Sequence, residues 1–361
     1  MAGNQIAVIV PVLREADNIK SVVEALSVSL SSYDWEVIFV DDDSDDGTFE
    51  LARELSRNHS SVRAMQRVGK RGLATAAIAG MLSAHADYIV VMDGDGQHDA
   101  NTIPDLITPL QAGRADIVSA SRQLDAMDDK TMTAQRRNLS KFANRIAEVF
   151  AKRKISDPMS GFFAISADAF QSVVRRLGDA GFKLLLDILI CGPTLRHEEV
   201  SFGFRPRAHG ESKLDARNAW QLATFLAARL TNNIIPQRFI SFVAVGTLGL
   251  AVHFSVLYLL LGVGYGFATG QVWAAVLATI FNFLLNNSLT FRDRKLHGGN
   301  LVAGLMKYLL ITSVGIFANV AVATQVESTF TGYFALSALA GIAIDTVWKF
   351  FMSGLVVWSR K

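Results

Sequence analysis

The chain has 361 residues, half of them hydrophobic, and a formal net charge of +2. This length predicts more than one domain, and a near-neutral balance without a basic run argues against a nucleic-acid partner. The single cysteine excludes an intramolecular disulfide and fits a reducing compartment. Only 7 of the 35 Lys and Arg residues and 3 of the 33 Asp and Glu residues lie in 239–361. These features predict a soluble domain followed by a membrane domain.

The first part of the chain alternates strand and helix patterns, which predicts a largely parallel sheet with right-handed crossovers. Small residues in 72–84 suit a helix that packs closely on a sheet, and the long polar segment 123–137 is typical of a binding loop. Strands are expected at 5–10, 35–40, 62–67, 88–92 and 116–120, and helices at 17–30, 48–58, 72–84 and 103–112.

The most informative segment is 87–97, an apolar strand that ends in two aspartates. Ligands bind at the carboxyl edge of open α/β sheets, so these aspartates are expected at a binding site. Carboxylate and amide oxygens suit Mg²⁺ or Mn²⁺, and the spacing predicts a cation held by Asp93, Asp95 and Gln97. His98 is expected beside the site rather than as a ligand. Taken alone, the segment is better explained as a solvated acidic turn, and it is the rest of the chain that favours a cation site.

The second part contains four apolar stretches of about 20 residues, the length that crosses a bilayer. The link between the second and third stretches is basic, and the positive-inside rule puts that link and both termini in the cytoplasm. Residues 215–238 are predicted to form interfacial amphipathic helices. We therefore expect a multi-pass protein of the cell membrane with a cytoplasmic domain at 1–214. The predicted spans are 239–261, 267–289, 305–326 and 334–358.

The four stretches resemble two copies of a two-helix unit, although a match this loose can also arise by coincidence. Residues 242–249 match 308–315 at an offset of 66, and residues 282–291 match 349–358 at an offset of 67. Internal duplication is common in membrane proteins. Polar residues inside the stretches include Asp345 and Lys349, which are four apart and are expected to pair.

Three further motifs accompany the two aspartates: Val10–Ile19, Val40–Thr48 and Asp157–Phe163. Together the four motifs resemble glycosyltransferase family 2, and more closely its polyprenyl-phosphate glycosyltransferases of the dolichol-phosphate mannose synthase type. The resemblance covers about 5–214 and implies a Rossmann-like α/β domain of GT-A type with a mostly parallel sheet. Residues 239–361 resemble the GtrA-like family, which implies an all-α transmembrane domain of four helices.

The resemblance implies two sets of binding residues. The nucleotide sugar is expected to contact Pro11, Leu13, Glu15, Val40 and Asp42, together with Asp93, Asp95 and Gln97 at the cation. The phosphate of the lipid acceptor is expected to contact Arg122, Arg136, Arg205, Arg207 and Lys213. The residues expected to act in catalysis are Asp95, Arg122, Arg136, Arg207 and Lys213.

The implied activity is inverting transfer of a hexose from a nucleotide sugar to a polyprenyl phosphate, with GDP-mannose as the favoured donor. A UDP-linked hexose is the first alternative, because Asp42 can accept hydrogen bonds from guanine or uracil. A lipid-linked sugar translocase with a binding-only soluble domain is the alternative of another class. A processive polysaccharide synthase is disfavoured. Those enzymes use a Gln-x-x-Arg-Trp motif, and no Trp in this chain follows an Arg. The sequence leaves the oligomeric state open.

Overall fold

The computed structural model describes residues 4–122, 148–151, 153–178, 183–202, 216–231, 234–329 and 334–359. The chain forms two compact units, Met1–Asp215 and Ala216–Lys361.

The first unit is built on a seven-stranded sheet with the order β3-β2-β1-β4-β6-β5-β7 among its described residues. The strands are β1 (Asn4–Val12), β2 (Trp35–Asp41), β3 (Val62–Gln66), β4 (Ala86–Val91), β5 (Ile117–Arg122), β6 (Phe163–Ser166) and β7 (His197–Phe202). Strands β1 to β4 are parallel, and β6 runs antiparallel to both of its neighbours. The carboxyl ends of β1, β2, β3 and β4 therefore lie along one edge of the sheet.

Helices cover this sheet. They are α1 (Ile19–Ser29), α2 (Thr48–Asn58), α3 (Leu73–Ser83), α4 (Ile103–Gln111), α5 (Ala167–Val173) and α6 (Leu184–Cys191). Residues 6–10 of β1 are fully buried, as expected for a parallel strand with helices on both faces. A methyl group at Gly80 of α3 would lie 2.5 Å from Ile9 and 2.9 Å from Val40. The predicted close packing of this small-residue helix is confirmed.

The mostly parallel α/β architecture predicted from the sequence is confirmed, and all five predicted strands are present. Strands β6 and β7 were not predicted. Strand β6 has only four residues and directly follows a loop motif, so it is too short to display an alternating pattern. The predicted polar loop at 123–137 lies outside the described residues.

The second unit consists of helices. They are α7 (Ala216–Leu230), α8 (Gln237–Gly262), α9 (Phe267–Leu285), α10 (Gly298–Thr329) and α11 (Phe334–Met352). The helical pattern predicted over 215–238 is interrupted, because α7 ends at Leu230 and α8 begins after Pro236. Proline has no amide N–H to donate, so it suits the start of a helix and not its interior.

Two helices among the described residues are long and apolar enough to cross a membrane. They span Gln237–Gly262 and Phe267–Thr290. Helices α10 and α11 overlap the third and fourth predicted spans, whose membrane crossing remains a prediction.

The internal repeat predicted from the sequence has a structural counterpart. Helices α9 and α11 both continue into a five-residue π-helical turn, Asn286–Thr290 in the first half and Ser353–Val357 in the second. These turns are 67 residues apart, which is the offset of the sequence match. Gly249 of α8 faces the Asn282 side chain, and its equivalent Gly315 faces Asp345 and Lys349. The two halves therefore pack their helix pairs in the same way.

Candidate active site

The predicted nucleotide-site residues follow strands that are neighbours in the sheet. Pro11 of β1 is in register with Val40 of β2, and Ile9 of β1 is in register with Val91 of β4. The loop after β4 packs on the end of β1, because a Cβ at Gly94 would lie 2.8 Å from Val12. The segments Val10–Ile19, Val40–Thr48 and Asp93–Gln97, which carry three of the four motifs, therefore meet at one edge.

Asp42 follows β2 and is buried, with only 4% of its surface exposed. Its carboxylate lies 3.1 Å from a guanidinium nitrogen of Arg67 and accepts a 2.6 Å hydrogen bond from the Gly72 amide. Burial raises the pKa of this carboxyl, while the Gly72 amide and Arg67 act in the opposite direction. The structure thus supplies a buried acid with a cation and an amide that stabilise its charged form.

Arg67 was not identified from the sequence. It follows β3 at the same edge, donates to the Thr75 hydroxyl at 2.8 Å and has a side chain that is 10% exposed. The sequence signal that could have identified Arg67 was its position. Strands β2 and β3 are parallel neighbours, so Arg67, which follows β3, lies beside Asp42, which follows β2. The neighbouring acids also have partners: Asp41 accepts from the Ser44 amide at 3.0 Å, and Asp43 from the Gly69 amide at 3.3 Å.

The other predicted nucleotide-site residues differ in exposure. Pro11 and Val40 are buried, whereas Leu13 is 42% exposed. The carboxylate of Glu15 accepts a 2.6 Å hydrogen bond from Asn18. An exposed Leu13 beside a buried acid leaves an apolar surface open to a ligand at this edge.

The predicted cation ligands lie in the turn after β4. The side chain of Asp93 is 39% exposed, Asp95 is half-buried, and Gln97 is 6% exposed. The backbone N–H of Gln97 donates a 3.1 Å hydrogen bond to the Asp95 carboxylate, which tightens the turn. Gly96, within this turn, has a φ of +73°. No cluster of three or more His, Cys, Asp or Glu residues fit for a metal occurs in the described part of the chain.

His98 contacts Asp93 directly. The Asp93 amide donates a 2.9 Å hydrogen bond to Nδ1 of His98, and Nε2 of the ring lies 3.8 Å from the Asp93 carboxylate. Nδ1 must carry a lone pair to accept this bond, so the proton of the neutral ring is on Nε2. His98 therefore lies beside Asp93 and is buried rather than exposed.

The loop that carries the motif Asp157–Phe163 reaches the same point. A Cβ at Gly161 would lie 3.2 Å and 3.3 Å from the two carboxylate oxygens of Asp93. The Ser160 hydroxyl donates to the Ala120 carbonyl at 2.8 Å, which attaches the loop to β5. Phe162 stacks on His98 with ring centroids 4.9 Å apart. This loop therefore borders the predicted cation site.

A buried lysine that was not among the predicted site residues interacts with this loop. Lys183 is 8% exposed, and Asp157 is 5% exposed. Burial lowers the pKa of the Lys183 ammonium to about 8, and the negative charge of Asp157 acts in the opposite direction. The fold brings this pair together across 26 residues of chain.

The structure does not describe the side chains of the basic residues that were predicted to bind the acceptor phosphate. The backbone of Arg122 ends β5, in register with Phe202 of β7. The other four, Arg136, Arg205, Arg207 and Lys213, lie outside the described residues. Their roles remain predictions.

Each of the two units contains a segment that matches a known protein family. Residues 7–174 match "Glycosyl transferase family 2", and residues 241–358 match "GtrA/DPMS, transmembrane domain". The first unit is a glycosyltransferase domain with a GT-A-type sheet, and the second contains a transmembrane domain.

Relatives narrow the class further. The chain is 30% identical to a dolichol-phosphate mannosyltransferase of Pyrococcus furiosus, over 98% of this chain and 99% of the relative. It is 33% identical to the enzyme of the same name from Mycosarcoma maydis, over 58% of this chain and 74% of that one. The chain therefore belongs to glycosyl transferase family 2, among the members similar to dolichol-phosphate mannosyltransferases.

A solved structure is also similar. The glucosyl-3-phosphoglycerate synthase of Mycobacterium tuberculosis, in complex with Mn²⁺, UDP and phosphoglyceric acid, matches with a TM-score of 0.49 and 20% identity. The match covers 65% of this chain and 80% of that one.

Proposed function

We propose that this chain transfers mannose from GDP-mannose to the phosphate of a polyprenyl lipid, with inversion at the sugar carbon. The observation that carries the proposal is the convergence of Asp42, Asp93 and Asp95 at one sheet edge. This edge belongs to a chain that matches a dolichol-phosphate mannosyltransferase over 98% of its length.

Asp42 is proposed to bind the nucleotide base. A carboxylate has about four sites for hydrogen bonds. The Gly72 amide occupies one of them, on Oδ2, while Oδ1 is ion-paired with Arg67 at 3.1 Å and accepts no hydrogen bond. The remaining sites can accept from N–H groups of guanine. The exposed apolar side chain of Leu13 would contact the base or ribose, with Pro11 and Val40 behind it.

The turn after β4 is proposed to hold Mg²⁺ or Mn²⁺ through Asp93, Asp95 and Gln97. The donor set fits, because two carboxylates and an amide are hard oxygen ligands, and such cations take their other ligands from phosphates or water. Gly161 fits as well, because it borders the Asp93 carboxylate without a side chain. When bound, the cation would neutralise negative charge on the departing nucleoside diphosphate. Asp93 and Asp95 would hold the cation at the end of β4, at the carboxyl edge of the sheet.

The acceptor requires no protein base. A phosphate monoester has a second pKa of about 6, so its oxygen is already anionic at neutral pH. The obstacle is repulsion between this anion and the diphosphate of the donor. Arg122, Arg136, Arg205, Arg207 and Lys213 are proposed to bind and orient the acceptor phosphate, since Arg matches phosphate geometry with two hydrogen bonds.

The second unit is proposed to cross the membrane four times, with the catalytic domain and both termini in the cytoplasm. The support is the charge pattern of the links together with two described helices of membrane-spanning length. In this arrangement a lipid acceptor held in the cytoplasmic leaflet presents its phosphate on the same side as the donor.

A turnover assay tests the proposal. Membranes containing the chain are incubated with a polyprenyl phosphate and GDP-mannose, and the lipid product is identified by mass spectrometry. We expect a mannosyl phosphoryl lipid, loss of product with EDTA, and at least ~100-fold lower turnover for Asp95→Asn. Asp87→Asn is the matched control, because Asp87 is exposed on the same strand, away from the turn.

Two outcomes would reject parts of this proposal. Product formed from UDP-glucose and not from GDP-mannose would reject the donor. Specific binding of a lipid-linked sugar without any turnover of a nucleotide sugar would reject the transferase activity in favour of a translocase.

A further inference from the structure

His98 has two directed contacts with Asp93. Its Nδ1 atom accepts the Asp93 amide hydrogen at 2.9 Å, and its protonated Nε2 lies 3.8 Å from the Asp93 carboxylate. The first contact is a normal hydrogen bond. The second is too long for a direct hydrogen bond, so its effect on the carboxylate is electrostatic. One ring therefore contacts both the backbone and the side chain of the same residue.

The ring of His98 is itself held in place. It is 9% exposed and lies nearly parallel to the ring of Phe162, with 14° between their planes. Phe162 follows Gly161, whose backbone borders the oxygens of Asp93. Asp93 is thus bounded by the imidazole and by this glycine.

The tautomer of His98, with its proton on Nε2, argues against His98 as a ligand of the cation. A neutral imidazole binds a metal through a nitrogen lone pair. The Nδ1 lone pair is used by the Asp93 amide, and Nε2 carries the proton. The ring can support Asp93 but offers no lone pair to a cation beside it.

We propose that His98 is a positioning residue for the cation site. It holds the turn after β4 through the Asp93 amide and limits the orientations of the Asp93 carboxylate. This inference rests on the proposed function, because it assumes that Asp93 binds a divalent cation. Groups that orient metal ligands in this way commonly change metal affinity by about 10–100-fold when they are replaced.

The test measures the affinity for Mn²⁺ by electron paramagnetic resonance, with the purified full-length protein and GDP. His98→Phe keeps an aromatic ring for Phe162 but removes the acceptor for the Asp93 amide. We expect it to weaken Mn²⁺ binding by about 10–100-fold while GDP binding without metal is unchanged. His98→Asn keeps an acceptor near the position of Nδ1 and should recover most of the affinity. His59→Phe is the matched control, because His59 is exposed.

Wild-type Mn²⁺ affinity in His98→Phe would overturn the inference. It would also be overturned if His98→Asn were as impaired as His98→Phe, or if His98→Phe lost metal-free GDP binding together with Mn²⁺ binding. In the last case the ring would support the fold in general. Absence of Mn²⁺ binding in the wild-type protein would reject both the proposed cation and this role. Mn²⁺ binding by the wild type with no effect of the variants would reject this role alone.

Discussion

Phe291 and Trp358 stack face to face, with ring centroids 4.3 Å apart and planes 6° from parallel. The two residues are equivalent in the internal repeat, since they end the matching segments 282–291 and 349–358. Their flanking contacts are equivalent as well. Phe283 stacks on Trp358 at 5.6 Å, and its counterpart Phe350 lies 6.4 Å from Phe291. The stack therefore lies where the two halves of the second unit meet.

The first prediction concerns this stack. Phe291→Ala removes most of a side chain that is 2% exposed, and we expect it to destabilise the second unit by roughly 3–5 kcal/mol. Thermal unfolding of the full-length protein in detergent measures the effect. Phe254→Ala is the control, since Phe254 is 51% exposed. Equal effects of the two substitutions would contradict a packed junction between the halves.

The second prediction concerns Gly161. Gly161→Ala puts a methyl group 3.2 Å from the Asp93 carboxylate, so either the loop or the carboxylate must move. Because small displacements of reacting groups are costly, we expect turnover to fall by about 10-fold or more. Gly246→Ala is the control, because its methyl group meets nothing within 4 Å. Full activity of Gly161→Ala would show that Asp93 tolerates displacement.

The third prediction concerns Arg67. Arg67→Met leaves the buried Asp42 without its cation, which should lower the free energy of unfolding by roughly 3–5 kcal/mol. The double variant Arg67→Met with Asp42→Asn should be more stable than Arg67→Met, because no buried charge remains unpaired. Arg14→Met is the control, because its pair with Asp45 is exposed and screened by solvent, so that its loss should have little effect on stability. Similar losses in Arg67→Met and Arg14→Met would refute the assignment.

The fourth prediction concerns pH. The Lys183 pKa is lowered to about 8 in the folded state, below the ordinary value of 10.5, so the folded protein loses this proton first. Stability contributed by this group therefore rises with pH between these two values and is lost as the pH falls through about 8. Relative to Lys183→Met, the wild type should gain roughly 2 kcal/mol between pH 7 and pH 10.

Thermal unfolding at the two pH values measures this gain. Lys20→Met is the control for removing one lysine, because Lys20 is exposed. A wild-type advantage over Lys183→Met that stays constant from pH 7 to pH 10 would contradict the lowered pKa.

The fifth prediction concerns topology. After Cys191→Ser, a membrane-impermeant thiol reagent on intact cells should label Tyr265→Cys, in the link between α8 and α9. It should not label His297→Cys, in the basic link before α10. Both positions are exposed, so access to the reagent depends on the side of the membrane. Labelling of His297→Cys alone would invert the proposed orientation.

The cation and nucleotide motifs were predictable because they depend on local sequence. An apolar run identifies a buried strand, and polar residues at its end must lie at the carboxyl edge of a parallel sheet. Asp42, Asp93 and Asp95 follow this rule. The same rule would have suggested Arg67, had the residue after β3 been considered beside the residue after β2.

Other features depend on contacts between distant segments. Lys183 is polar within an apolar stretch, and only the folded chain brings Asp157 to it. The role of Gly161 also depends on how closely its loop approaches Asp93, which no local pattern encodes. Strand β6 was missed for a related reason, since its four residues are recognisable as a strand only by their pairing with β4 and β5.

The duplicated helix pair has a consequence for how such a protein arises. In the proposed topology, a unit of two crossings returns the chain to the side of the membrane from which it started. A second copy added in tandem therefore inserts in the same orientation as the first, with no change in the sidedness of any flanking segment. If a unit had an odd number of crossings, a tandem copy of it would insert with inverted membrane topology. If the copies share an orientation in this way, Phe291 and Trp358 lie at the same depth of the proposed membrane domain, which fits their face-to-face stack.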